Sequence, residues 1–401
     1  MTAALGLLLA ALIPVDFAVD QTGRTFEVAQ TPSSVALRVA EPGESFRPWR
    51  TLLRTRPAQR PVRVAVAADG RGVIAYQSGV SGRRRVRVTG FDARGRVGRP
   101  RVLSRRGRSD LAALAVARGG AAVVVWFQHR PDGRWRLEAA VRDPGAAGFG
   151  PPRAVSPVQR VPCCTAVGAA IGDRGDAVLT WRSTLRPAVW AALRAAGGRF
   201  RPPQRLAPES SDVPRVAIGA NGAAAAIYSS QHVPLRPDDG LRLHRASSGG
   251  AFGAAEIVNP GGGVTLGNVT VTRAGRTAVA WIEPTTARAR LSEAGPGMPL
   301  AAGAVLGADV AARAPVVAAD DEGRTVVAWT ARAPSRRSLD ERVVAATRAA
   351  STAGFGPPVV LGAPWPVATP RAVHLTPGAG ALVLWTGSGR RRSAHTLALL
   401  R

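Results

Sequence analysis

Residues Pro61 to Gln77, PVRVAVAADGRGVIAYQ, decide how this chain folds, because a stretch close to them returns about every fifty residues until the C-terminus. Two apolar runs, Val62 to Val66 and Val73 to Tyr76, flank Asp69-Gly70. Alternation at period two marks a half-buried strand, and Asp-Gly marks a tight turn. The stretch is therefore expected to form a β-hairpin whose second strand closes with an aromatic ring. Eight such hairpins begin at Asp16, Pro61, Asp110, Thr165, Val213, Val264, Ala312 and Ala368. Seven end their second strand on an aromatic, namely Tyr76, Trp126, Trp181, Tyr228, Trp281, Trp329 and Trp385, and the first has Ala29 there. A ring at one fixed place in every unit predicts a wedge packed between neighbouring units rather than a ligand platform.

A third alternating run follows each hairpin, as in RLEAAVRD after Trp135 and RVVAATRAA after Glu341. Next comes a turn with Phe and Pro, as at Phe149-Gly150-Pro151 and Phe355-Gly356-Pro357, and then a short run such as PRVLS or PVVLG. We denote the four runs A to D. Four strands in about fifty residues make a propeller blade, so the expected fold is all-β, a β-propeller of about eight four-stranded blades, with seven as the alternative. At 401 residues and 46% apolar content the chain can bury a large core, and a single propeller domain over 14–401 is expected.

The last unit stops after its third run, whereas residues 1–13 form an apolar segment, Ala3 to Ile13 being its core. Aligning Pro14 with Pro61 places Met1 to Leu8 opposite a D run. The segment is accordingly expected to pair with the C-terminal blade and close the ring, which removes an exposed sheet edge. The competing reading is the remnant of a signal peptide, although no positive residue precedes the run and the first Arg is Arg24.

From Pro14 to Arg401 the repeats resemble β-propeller proteins, most nearly the secreted sialidase-like and kelch-like propellers. The D-x-x-G turns, such as Asp320 to Gly323, are similar to the Asp-box of sialidases without the Ser or Thr that precedes its Asp. A sialidase site would need a Tyr nucleophile. Tyr76 and Tyr228, the only tyrosines, occupy the wedge slot, so no residue carries over to that role and the resemblance is one of architecture.

Charge is the strongest compositional signal. There are 54 basic residues against 26 acidic ones, a formal +28, and every basic residue is Arg. The Ala-, Gly- and Pro-rich composition points to a GC-rich genome as one source of the excess. The functional source would be a surface suited to polyanions, since guanidinium forks bind sulfate, phosphate and carboxylate bidentately. In propellers the B-to-C and D-to-A loops share one end, and here they hold Arg83, Arg84, Arg85, Arg130, Arg134, Arg336 and Arg337 together with the loop His232, Arg236, Asp238 and Asp239. These are the candidate ligand-binding residues. Cys163 and Cys164 are adjacent and lie in a D-to-A loop; they could form a strained vicinal disulfide or remain a reduced apolar pair.

No metal spacing surrounds the cysteines or the five scattered histidines, and neither metal nor cofactor is expected. The chain has no phosphate-binding glycine loop, no G-x-S-x-G and no H-E-x-x-H. Three functions remain. The first is a noncatalytic, secreted or surface-associated propeller that binds a protein partner or an anionic polysaccharide through its arginines, as a monomer without a transmembrane segment. The second is a glycan-acting enzyme of sialidase-like type, which needs two converging carboxylates. Nucleic-acid binding ranks last, because the arginine clusters lack interleaved aromatics for base stacking.

Overall fold

Each alternating run folds as an extended strand. The computed structural model describes residues 15–31, 33–42, 44–54, 62–80, 82–159, 166–183, 188–208, 214–230, 239–259, 267–307, 311–332, 340–350, 352, 354–375, 380–389 and 392–400. Among them there is no helix, and the strands form seven four-stranded antiparallel sheets and one of three strands. The architecture is that of a β-propeller of about eight blades. Neighbouring strands within each sheet are neighbours in sequence, in the order A-B-C-D, as the repeat predicts. Sheet 2 consists of Arg63–Val66, Gly72–Ser78, Arg85–Phe91 and Arg101–Val102, and sheet 3 of Ser109–Val116, Ala122–His129, Trp135–Arg142 and Arg153–Ala154. The eighth sheet has Val367–Leu375, Ala381–Gly389 and Arg392–Leu400 and no fourth strand among the described residues. The expected closing segment, 1–13, lies outside the described residues.

By contacts the chain divides into two compact units. One comprises residues 1–179 and 191–204, the other residues 180–190 and 205–401. Sheets 1 to 3 belong to the first unit and sheets 5 to 8 to the second.

The core of each unit is built from aromatic wedges between successive sheets. In the first unit, Trp126 packs with Ala122 and Val124 of its own sheet against Val73, Ala75, Val86 and Val88 of sheet 2. In the second, Trp281, Trp329 and Trp385 fill the same place in three further clusters. Burying a side chain of this size contributes about 3 kcal/mol. The indole Nε1 atoms of Trp126, Trp281 and Trp329 are buried with no hydrogen-bond partner, so these wedges hold by packed area alone. In sheet 1, where Ala29 replaces the ring, Phe26 and Phe91 fill the volume with centroids 5.2 Å apart.

The A-to-B turns link sheets at the opposite end. Asp69 caps its own turn by accepting from the Arg71 N–H at 3.0 Å, and Gly70 takes the left-handed conformation the turn requires, with φ +79°. Neighbouring turns are then stapled to one another. Ala68 N donates to Arg118 O at 3.1 Å, and Gly119 N donates to Asp173 Oδ1 at 2.8 Å. In the second unit Ala274 N donates to Asp321 Oδ1 at 2.8 Å. The joining carboxylates are Asp173 and Asp321, whereas the Asp-box-like Asp320 caps its own turn by accepting from Arg324 N at 2.9 Å.

Candidate functional site

At the end of sheets 2 and 3 away from those turns, the start of strand A, the end of strand B and the B-to-C turn converge. Strand A of sheet 3 carries an irregularity opposite Val125 and Trp126, where Ala112 is extra: Ala113 pairs with Val125, and Leu111 with Trp126. One extra residue reverses the faces presented by the residues before it. Beyond this bulge, Ser109 pairs with Gln128 and Asp110 with Phe127.

Asp110 is the hub of the polar network this creates. Its Oδ2 pairs with His129 Nε2 at 2.9 Å and Arg108 Nε at 3.1 Å; its Oδ1 meets Arg84 Nη2 at 3.1 Å and accepts from Gln77 Nε2 at 3.2 Å. Burial pushes the carboxyl up, but His129, Arg84, Arg108 and Gln77 outweigh that effect and hold it well below the usual carboxylate range. A second tier locks the backbone. Gln77 Nε2 also donates to Ser109 O at 2.6 Å, Ser109 Oγ donates to Gln128 Oε1 at 3.0 Å, and Ser109 N donates to Arg84 O at 2.9 Å. The B-to-C turn of sheet 2 is thereby tied to the first residues of sheet 3.

Around this hub cations outnumber anions. Asp132 holds Arg134 at 2.5 Å and Arg130 at 3.7 Å, both in an exposed turn. Glu138, fully buried, holds Arg136 at 2.5 Å and Arg105 at 3.8 Å. With Asp110 holding Arg84 and Arg108, the three carboxylates account for six arginines. Among the described residues, Arg83, Arg85, Arg87 and Arg106 have no carboxylate partner.

The expected site residues thus divide. Arg83, Arg84, Arg85, Arg130 and Arg134 do lie at this end, but Arg84 is only 7% exposed and serves as a structural cation for Asp110. Asp239 is buried at 1% exposure beside strand C of sheet 5, in the other unit. His232, Arg236, Asp238, Arg336, Arg337, Cys163 and Cys164 lie outside the described residues. The network's own centre, Asp110 with Gln77, Gln128 and His129, went unmarked among the candidates. Its only sequence signals are the Gln at the end of the first three hairpins (Gln30, Gln77, Gln128) and the Asp opening two of them (Asp16, Asp110). Among the described residues no three His, Cys, Asp or Glu side chains come together to hold a metal ion, and no helix is long and apolar enough to cross a membrane.

A second buried polar pair lies in the other unit. Tyr228 and His244 stack with centroids 5.7 Å apart, and Tyr228 Oη lies 3.1 Å from His244 Nε2. The same hydroxyl donates to Leu206 O at 3.3 Å. Burial pushes the phenol up to about 12 and lowers His244 below its ordinary value. A phenol so held is a wedge with its polar tip satisfied, not a nucleophile.

No known family model matches the chain, and no curated protein is similar to it. Among solved structures, a prolyl endopeptidase described for inter-domain dynamics in catalysis and specificity aligns with 96% of this chain at 14% identity and a TM-score of 0.50. The fold is a propeller. This chain spans only 55% of that protein's length, and the likeness is one of fold alone. The β-propeller domain of the Trilobed protease from Pyrococcus furiosus aligns over 86% of this chain and 97% of its own, with 9% identity and a TM-score of 0.47. The NanB sialidase from Streptococcus pneumoniae aligns over 94% of this chain and 83% of its own, with 8% identity and a TM-score of 0.45.

Proposed function

We propose that the chain is a noncatalytic propeller, acting outside the cytoplasm, that binds an anionic polysaccharide through the arginine-rich end of sheets 2 and 3. One observation carries the reading: three carboxylates at this end are already shared among six arginines, and among the described residues Arg83, Arg85, Arg87 and Arg106 have no carboxylate partner. Guanidinium groups in this state attract polyanions and dock their oxyanions through paired N–H donors. The formal +28 of the chain adds a long-range field of the same sign.

Glycan hydrolysis by the common two-carboxyl route would require one carboxyl kept protonated as the acid and a second carboxylate facing it. Asp110 is the carboxyl best placed at this end, and its four donors drive it the opposite way, towards permanent ionisation. That property suits an anchor.

The test is binding to heparin at about 50 mM and about 300 mM NaCl, beside a neutral dextran of similar length. Heparin binding that weakens at least tenfold across this range, with no dextran binding, is the expected result, because exposed charges are screened over about a Debye length. Absence of heparin binding even at the lower salt overturns the reading.

A further inference from the structure

Arg85 and Arg87 are two residues apart on strand C of sheet 2 and so share one face of it. Tyr76, paired opposite Arg87, lies on that same face and packs in the cluster with sheet 1. One Arg85 amino group donates to the carbonyl oxygen of Ser104, which draws its guanidinium towards the loop that carries Arg106. All of these residues belong to the first unit.

Arg87 and Arg106 both repel Arg85. Desolvation first, and then Arg87 and Arg106, lower Arg85 from its ordinary value, and no carboxylate offsets them. The Nε atoms of Arg85 and Arg87 are buried without an acceptor among the described residues. Folding normally pairs half-buried cations, and here two, Arg85 and Arg87, have no carboxylate partner among the described residues and lie near the exposed Arg106.

We infer that Arg85, Arg87 and Arg106 form a subsite for a tetrahedral oxyanion, the sulfate ester of a sulfated polysaccharide. The inference rests on the polyanion-binding reading above and narrows it to one group. A sulfate ester presents three terminal oxygens, one for each guanidinium, whereas a carboxylate presents two and leaves one cation uncompensated. Phosphate esters share this shape, but in nucleic acids they come with bases that need stacking platforms, and none of the residues 83–87 or 104–108 is aromatic. Arg84, immediately before the strand, is committed to Asp110 and is not part of the subsite.

The experiment titrates the protein at about 50 mM NaCl with three polyanions of similar length: heparin, polygalacturonate and single-stranded DNA. The wild type is expected to bind heparin at least tenfold more tightly than either of the others. Arg106→Gln, an exposed change that leaves the sheets intact, should remove most of that preference, and R87Q combined with R106Q should abolish it while leaving weak binding to both glycans. Equal affinity for heparin and polygalacturonate, or an unchanged preference in folded R106Q, overturns the subsite but leaves the general reading standing. DNA binding as tight as heparin overturns the assignment to a sulfated glycan. If no polyanion binds, the general reading fails and the subsite fails with it.

Discussion

Replacing Asp110 with Asn tests whether this carboxylate is an anchor for the arginine-rich end. The change keeps the shape and one acceptor oxygen while removing the charge shared by Arg84, Arg108 and His129. Arg84 is then a nearly buried cation with its anionic partner gone. Breaking a buried pair costs about 3 to 5 kcal/mol. The Arg108 side chain is 42% exposed and the neutral amide still accepts one hydrogen bond, so about 2 to 3 kcal/mol is expected here. For a chain of this length, unfolding entropy of about 2 cal/mol/K per residue translates that into a fall in Tm of roughly 3 °C if unfolding is cooperative. The effect depends on pH in a defined direction. The carboxyl is depressed in the folded state, so its stabilisation is fully present above the unfolded value near 4 and is lost as pH falls through the lower folded value. Thermal unfolding of wild type and D110N should therefore differ most at pH 7, and the difference should narrow progressively as pH falls below about 4. Heparin binding by D110N at low salt should become tighter, because two arginines are released. Equal stability at pH 7, or weaker heparin binding by a folded D110N, would refute the anchoring role.

Three further outcomes follow from the packing. A Cβ at Gly303 would overlap the Trp281 ring, so Gly303→Val should cost more than about 2 kcal/mol in denaturant unfolding, and a neutral result would contradict the wedge. Tyr228 is pushed up to about 12 when folded, against about 10 unfolded. Its contribution, about 3 kcal/mol at 1.36 kcal/mol per unit, is present below pH 10 and lost as pH rises towards 12. Y228F should flatten the alkaline fall in stability, and an unchanged fall would count against the buried pair. Ala287 is the single non-glycine residue with positive φ among those described, at +52°, and Ala287→Gly should raise stability by about 0.5 to 1 kcal/mol, whereas a loss would show that the turn is not strained.

The propeller was legible because period-two alternation, a glycine in the A-to-B turn and a ring at the end of strand B repeat in register from Pro61 to Trp385. These are local signals, and the sheets follow them strand by strand. The candidate site was only half legible. Its face could be read from the arginines at 83 to 85 and at 130 and 134. The hub could not, because Asp110, Gln77 and Arg84 come from three segments, and a one-residue bulge at Ala112 governs which face Asp110 presents. Arg84 shows the limit most clearly. Flanked by Arg83 and Arg85, it reads as one of three exposed cations, yet the Ser109 N–H to Arg84 O bond and the Asp110 pair hold it buried. Composition likewise showed the excess of arginine but not its pairing, and pairing is what separates structural cations such as Arg84 from Arg83, Arg85, Arg87 and Arg106, which have no carboxylate partner among the described residues.

The most direct measurement of the central claim is the heparin dissociation constant as a function of NaCl for the wild type and for Arg83→Gln combined with Arg106→Gln, two exposed cations whose loss spares every described ion pair. Tight binding at about 50 mM, a steep loss with rising salt, and a shallower dependence in the double variant, in which fewer charges take part, are expected. Binding that is absent at low salt, or equally salt-dependent in the double variant, would contradict it.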